Sequence, residues 1–173
     1  AGLSIPYYPF RANIEEVGIY SIVIDGGSPD GAGIQIMDPS QISIPLVGTA
    51  LPPFETPTVD DNRGVNPICT YLPAACSLHS ITLSDALALG KPIAYLVGTP
   101  AHCSTGTCSP ALEALLQVSE KLGDSMTFIH AEIYTDDTAT VVAPAVQALN
   151  MTYEPALFIA DAQGIVIERL DAV

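Results

Sequence analysis

The most reactive side chains in this sequence are four cysteines, which fall in two close pairs, Cys69/Cys76 and Cys103/Cys108. A cysteine thiolate can attack a disulfide, close a bridge or ligate a soft metal. Two close pairs without histidines at metal-site spacing read as disulfides. Such bridges persist in oxidising compartments. The protein is therefore expected to be extracytoplasmic, secreted or in the cell envelope, with its leader absent from the sequence. The Cys69–Cys76 bridge is expected to be structural, closing a short loop that contributes about 2–3 kcal/mol by chain entropy. No metal site and no cofactor is expected. His79 and His130 read as incidental, and Glu132 as an exposed or edge residue.

The second pair has a more suggestive setting. It is spaced C-x4-C, in His102-Cys103-Ser104-Thr105-Gly106-Thr107-Cys108, after the apolar run Ile93–Val97 and before a helical pattern. In open α/β sheets, chemistry gathers at the carboxyl ends of strands. Residues five apart on a helix have Cα atoms about 8–9 Å apart, beyond the roughly 7 Å a disulfide spans. The two can bond only if one lies outside regular helix. Gly106 eases such a loop, and Ser109-Pro110 reads as an N-cap followed by proline at the first helical position. A charged His102 beside the pair would stabilise a thiolate.

Three regions must position these residues. Residues 1–48 read as all-β: Ile19–Ile24 is a β-rich run before an Asp25-Gly26-Gly27 turn, Gly33–Met37 alternates, and a weaker strand lies around Phe10–Ile14. Three strands make a marginal sheet. This segment is either a complete small β appendage or the C-terminal part of a β-sandwich. Residues 49–80 read as a Pro-rich linker stapled by Cys69 and Cys76. Residues 81–173 read as an α/β domain. Thr82 caps a short helix ending at Gly90, and Ile93–Val97 is a buried strand. Leu112, Leu115, Leu116 and Leu122 share one helical face, Phe128–Tyr134 is a strand, and Val141–Leu149 is a helix closed by Asn150. Leu157–Ala160 and Ile165–Arg169 flank a turn at Asp161–Gly164. From Ile93 the order is β-α-β-α-β-β, a parallel crossover unit followed by a helix and an antiparallel hairpin.

Composition removes other function classes. The formal charge is −14, and the five cations (Arg11, Arg63, Lys91, Lys121, Arg169) are scattered. No basic patch can follow a phosphate backbone, which argues against nucleic acid and anionic membrane surfaces. No window reads as a membrane span. Hydrophobic residues make up 49% of the chain, enough to build a core.

Residues 82–170 resemble the thioredoxin-like superfamily, in its extracytoplasmic TlpA-like branch. The resemblance rests on the strand Ile93–Val97, the cysteine loop, Pro110–Leu115 and the segment Glu154-Pro155 through Gly164. It implies a thioredoxin-like core and makes Pro155 the cis-proline that faces the cysteines and presents backbone to a substrate. The sequence departs from the family pattern in three places: the spacer has four residues rather than two, His102 replaces the preceding aromatic, and no acid lies on Ile93–Val97. Q-type peroxiredoxins share C-x4-C, but their threonine and arginine map onto Pro100 and Pro155. Sco-type copper chaperones have a distant histidine where Tyr153 or Glu154 stands, so copper would need His102 or His130.

The leading expectation is a cell-envelope thiol–disulfide oxidoreductase acting on protein disulfides. Cys103 would attack, Cys108 would resolve, Pro155 would hold the partner backbone and His102 would assist. The alternative is a non-catalytic thioredoxin-fold interaction module whose disulfides are structural, with peroxidase or copper chaperone behind it. The partner implied is a protein thiol or disulfide.

Overall fold

The structure, a computed structural model, describes residues 12–171. The chain divides between Ser43 and Ile44 into two units. In the first, β1 (Gly18–Ile22) pairs antiparallel with β2 (Ala32–Ile36), Gly18 opposite Ile36 and Ile22 opposite Ala32. Both expected runs are strands. The weaker one at Phe10–Ile14 lies partly outside the described residues, and 12–14 carry no strand. No residue of β1 or β2 is fully buried.

The second unit is a four-stranded mixed sheet with order β4-β3-β5-β6. Its central strand β3 (Ile93–Val97) is buried at every position, as its continuous apolar run requires. It pairs parallel with β4 (Thr127–Ala131) and antiparallel with β5 (Ala156–Ala160), which pairs antiparallel with β6 (Val166–Asp171). The crossover from β3 to β4 carries α2 (Cys108–Leu122), whose Leu112 and Leu115 are buried against Ala94 and Leu96. Burying each such leucine contributes roughly 1.5–3 kcal/mol. The β5–β6 turn closes as expected, with Gly164 N–H on the Asp161 carbonyl and Gly164 at φ 77°.

The short helix α1 (Leu83–Ala88) has Thr82 as its N-cap, the Thr82 side chain accepting from Asp85 N–H. The helix α3 (Pro144–Ala148) is shorter than expected, because Val141 and Val142 stay exposed in a loop. Asn150, at φ 52°, follows it. α2 begins at Cys108, so Ser109, expected as the N-cap, lies inside the helix.

Residues 49–80, expected as a linker, lie within this second unit. Their proline content keeps them out of regular strands, yet they cover both edges of the sheet. On the β6 side, Gly48 N–H bonds the Val166 carbonyl, Val166 N–H bonds Thr49, and Leu51 N–H bonds Gly164. On the β4 side, His130 N–H bonds the Leu78 carbonyl. Unpaired edges invite association, and this segment occupies them. It also inserts side chains into the core: Leu51, Thr56, Val65 and Leu78 are buried. Thr56 Oγ1 donates to the Tyr95 hydroxyl at 3.3 Å and accepts from Leu83 N–H at 3.2 Å.

Candidate functional site: a disulfide loop above a buried Cys/His cluster

Cys103 and Cys108 are disulfide-bonded, with Cα atoms 5.9 Å apart. The geometry follows the sequence argument: Cys108 is the first residue of α2, Cys103 lies in the preceding loop, and Gly106 makes the turn at φ 72°. The loop leaves the carboxyl end of β3. The two sulfurs are not equivalent. Cys108 is 1% exposed, whereas Cys103 is half-buried and reaches the surface. Cys103 Sγ accepts from Cys108 N–H at 3.1 Å and lies 3.3 Å from Thr105 Oγ1. A backbone donor at the start of a fifteen-residue helix favours negative charge on that sulfur.

Pro155 follows a cis bond from Glu154, at the start of β5 beside β3. Gly98, the residue after β3, separates it from the disulfide. A Cβ at Gly98 would lie 3.1 Å from Pro155 Cβ and 3.6 Å from Cys108 Sγ. Only a glycine lets the three backbones approach so closely. His102 is half-buried, packed edge-on against Tyr134 at 6.1 Å between ring centres.

A cleft of about 610 Å³ opens beside this loop, lined by Ser104, Thr105, Tyr134, Val142, Met151 and Tyr153, among others. Glu154 reaches its wall and accepts from Ser104 N–H at 3.4 Å. Burial raises the Glu154 carboxyl pKa, the neighbouring Glu132 adds to this, and the Ser104 N–H opposes it.

The expected Cys69–Cys76 bridge is not formed: both cysteines are buried free thiols. They face two histidines instead. His79 and His130, read from sequence as incidental, are each 1% exposed and meet the two sulfurs in one cluster. His130 Nδ1 lies 3.6 Å from Cys69 Sγ, 3.5 Å from Cys76 Sγ and 3.1 Å from His79 Nε2. The opposite nitrogen of His130 sits 3.0 Å from the Gly98 carbonyl. The Cys76 thiol hydrogen-bonds the Cys69 sulfur and pulls its pKa down; burial opposes this, and His130 and His79 reinforce it. The same hydrogen bond, together with burial, pushes Cys76 up. Burial, the largest single influence, pulls His130 down, but the Cys69 sulfur, the Glu132 carboxylate and the Gly98 carbonyl together outweigh it and the net shift is upward.

Glu132 is also corrected. It is 3% exposed, because Thr70 N–H and Thr70 Oγ–H both donate to its Oε1, at 2.6 and 2.9 Å. Thr70 Oγ1 in turn accepts from Ala101 N–H at 3.1 Å, tying the cluster segment to the disulfide loop. The uncharged β3 has no buried acid, and Glu132 supplies one just past the end of β4. The one local signal that could have found the cluster is the Cys76-x2-His79 spacing, which the disulfide reading of Cys69 and Cys76 leaves unused. Nothing local marked His130, Glu132 or Glu154.

No protein-family model matches the sequence, and no curated protein matches it. Solved structures do. The chain superposes on a Chlorobium tepidum protein assigned as a thiol:disulfide interchange protein DsbE, with a TM-score of 0.50 and 13% identity, covering 72% of this chain and 84% of that one. The fold is thioredoxin-like. A second structure is the C-terminal domain of a Bacteroides thetaiotaomicron protein assigned as a thiol-disulfide oxidoreductase, at a TM-score of 0.43 and 11% identity, covering 72% and 86%. In the thioredoxin-like unit described here, the disulfide, Gly98 and Pro155 stand together at one end of the sheet.

Proposed function

We propose that the protein is a thiol–disulfide oxidoreductase of the extracytoplasmic space, acting on protein disulfides through Cys103 and Cys108. The observation that carries this reading is the asymmetric disulfide at the junction of β3 and α2, with one reachable sulfur and one buried sulfur beside Pro155. In the reduced protein the Cys103 thiolate, stabilised by Cys108 N–H, attacks a substrate disulfide. The substrate S–S bond breaks, a Cys103–substrate bond forms, and the other substrate sulfur leaves as a thiolate. The Cys108 thiolate then attacks Cys103 Sγ. This closes the intramolecular bridge and releases the substrate reduced by two electrons, which a dithiol donor restores to the enzyme. The adjoining cleft, with Tyr134, Val142 and Tyr153, suits an extended segment of the partner protein. Pro155 would align that segment's backbone, and His102 would add positive charge near the attacking sulfur. The −14 charge favours partners that are not themselves strongly acidic.

The test is substrate trapping. Cys108→Ser should accumulate mixed disulfides on Cys103, because the resolving thiol is gone, and Cys103→Ser should accumulate none. His102→Ala should slow the attack. If the bridge resists reduction in the folded protein and no thioredoxin-type dithiol donor supports turnover, it is a structural element of a non-catalytic module.

A further inference from the structure

The four buried side chains Cys69, Cys76, His79 and His130 have the composition of a closed tetrahedral zinc site. Their ligand atoms all lie within 4.8 Å of one another. With zinc–sulfur bonds of about 2.3 Å and zinc–nitrogen bonds of about 2.0–2.1 Å, tetrahedral geometry requires nitrogen–sulfur edges of about 3.6 Å and a nitrogen–nitrogen edge of about 3.3 Å. The measured edges at His130 Nδ1 are 3.6 and 3.5 Å to the sulfurs and 3.1 Å to His79 Nε2. The three edges at His130 Nδ1 thus already have first-sphere lengths, and the other ligand atoms, all within 4.8 Å, need only contract onto the ion.

We propose that Cys69, Cys76, His79 and His130 bind one zinc ion, as a structural site separate from the Cys103–Cys108 redox pair. The surroundings support His130 and Cys69 in the way zinc sites are usually supported, while the outward Nδ1 of His79 is buried without a hydrogen-bond partner. The remaining nitrogen of His130 donates to the Gly98 carbonyl at 3.0 Å, which directs Nδ1 at the cluster. Cys76 N–H points at Cys69 Sγ from 3.5 Å, a donor suited to a thiolate. Two thiolates and two neutral imidazoles balance the charge of a divalent ion, so the buried site is electrically neutral. On binding, each ligand atom that carries a proton releases it to solvent, and four metal–ligand bonds form without change of oxidation state. The ion would pin the segment 69–79 to β4 at the sheet edge. Through the Gly98 carbonyl it would also fix the position of the residue that packs on Cys108 and Pro155.

The whole 173-residue chain, reduced and treated with a chelator under anaerobic conditions, should take up one equivalent of zinc. Cobalt(II) in its place should show the visible bands of a tetrahedral centre and thiolate charge-transfer absorption. Zinc should protect Cys69 and Cys76 from alkylation, chelation should remove that protection, and the melting temperature should rise with zinc. The Cys103→Ser/Cys108→Ser double variant should bind zinc like the wild type. His79→Asn should weaken zinc by more than the about 100-fold that loss of an outer-shell partner brings. Because a ligand variant can fail to fold, the wild-type cobalt spectrum and alkylation pattern decide independently. The proposal is overturned if the reduced wild type takes up neither metal, if cobalt binds without thiolate absorption, or if the double variant loses the metal.

Discussion

Cys103 and Cys108 illustrate how one bond can have two chemically different ends. Cys108 is locked in the first turn of α2 under the sheet, while Cys103 sits in a loop with a helix N–H aimed at its sulfur. Their neighbour Glu154 adds a pH-dependent element. Its folded pKa is raised, mainly by burial, so the folded state holds that proton more tightly than the unfolded chain does. Its contribution to stability is therefore fully present below the ordinary glutamate range and is lost as pH rises through the raised value. Glu154→Gln should raise the melting temperature near neutral pH and flatten its dependence across the mildly acidic range. Parallel melting curves for the two proteins across that range would show that the carboxyl is not strained.

At the scale of elements, the joint between β3 and α2 depends on Gly98. Its Cα faces Cys108 and Pro155, and its carbonyl holds His130. An added methyl would stand 3.1 Å from Pro155 Cβ, a ring atom that cannot swing aside. Gly98→Ala should therefore cost about 1–3 kcal/mol in denaturant unfolding, as overpacking does, and slow alkylation of reduced Cys103. A variant with wild-type stability and reactivity would show that the joint has slack. The segment 44–80 shows a second principle: prolines that forbid a strand still allow single backbone bonds to a strand edge. Gly48, Thr49 and Leu51 serve β6 in this way, and Leu78 serves β4.

Across the whole molecule, the two units differ in how much they bury. The second has the all-buried β3, the α2 face and the wrapped edges, whereas β1 and β2 form a two-stranded ribbon without a fully buried residue. Such a ribbon is marginal alone. A 44–173 fragment should unfold cooperatively with a melting temperature close to that of the full chain, and a 1–43 fragment should show no cooperative transition in calorimetry. A sharp transition in the short fragment would make it a domain in its own right. Among the described residues no helix is long and apolar enough to cross a membrane.

The features legible in the sequence are those set by neighbours along the chain. The apolar run Ile93–Val97, the Thr82 cap, the Asp161–Gly164 turn and the Cys103–Cys108 bridge each follow from periodicity, capping or loop closure within about ten residues. Pro155 beside the bridge was legible only through family resemblance. What tertiary structure alone decided lies at long separation. His79 and His130 are 51 positions apart and Thr70 and Glu132 62 apart, so no local pattern pairs them. The Cys69/Cys76 spacing fits a disulfide equally well, and only the two histidines brought in from α1's approach and from β4 give the sulfurs other partners. Likewise, proline content identifies 49–80 as irregular but cannot distinguish a free linker from a strap. That depends on the edges of a sheet whose last strand lies more than a hundred residues downstream of Gly48. Local sequence determines which elements form, and burial of their unpaired edges and polar groups determines what they meet.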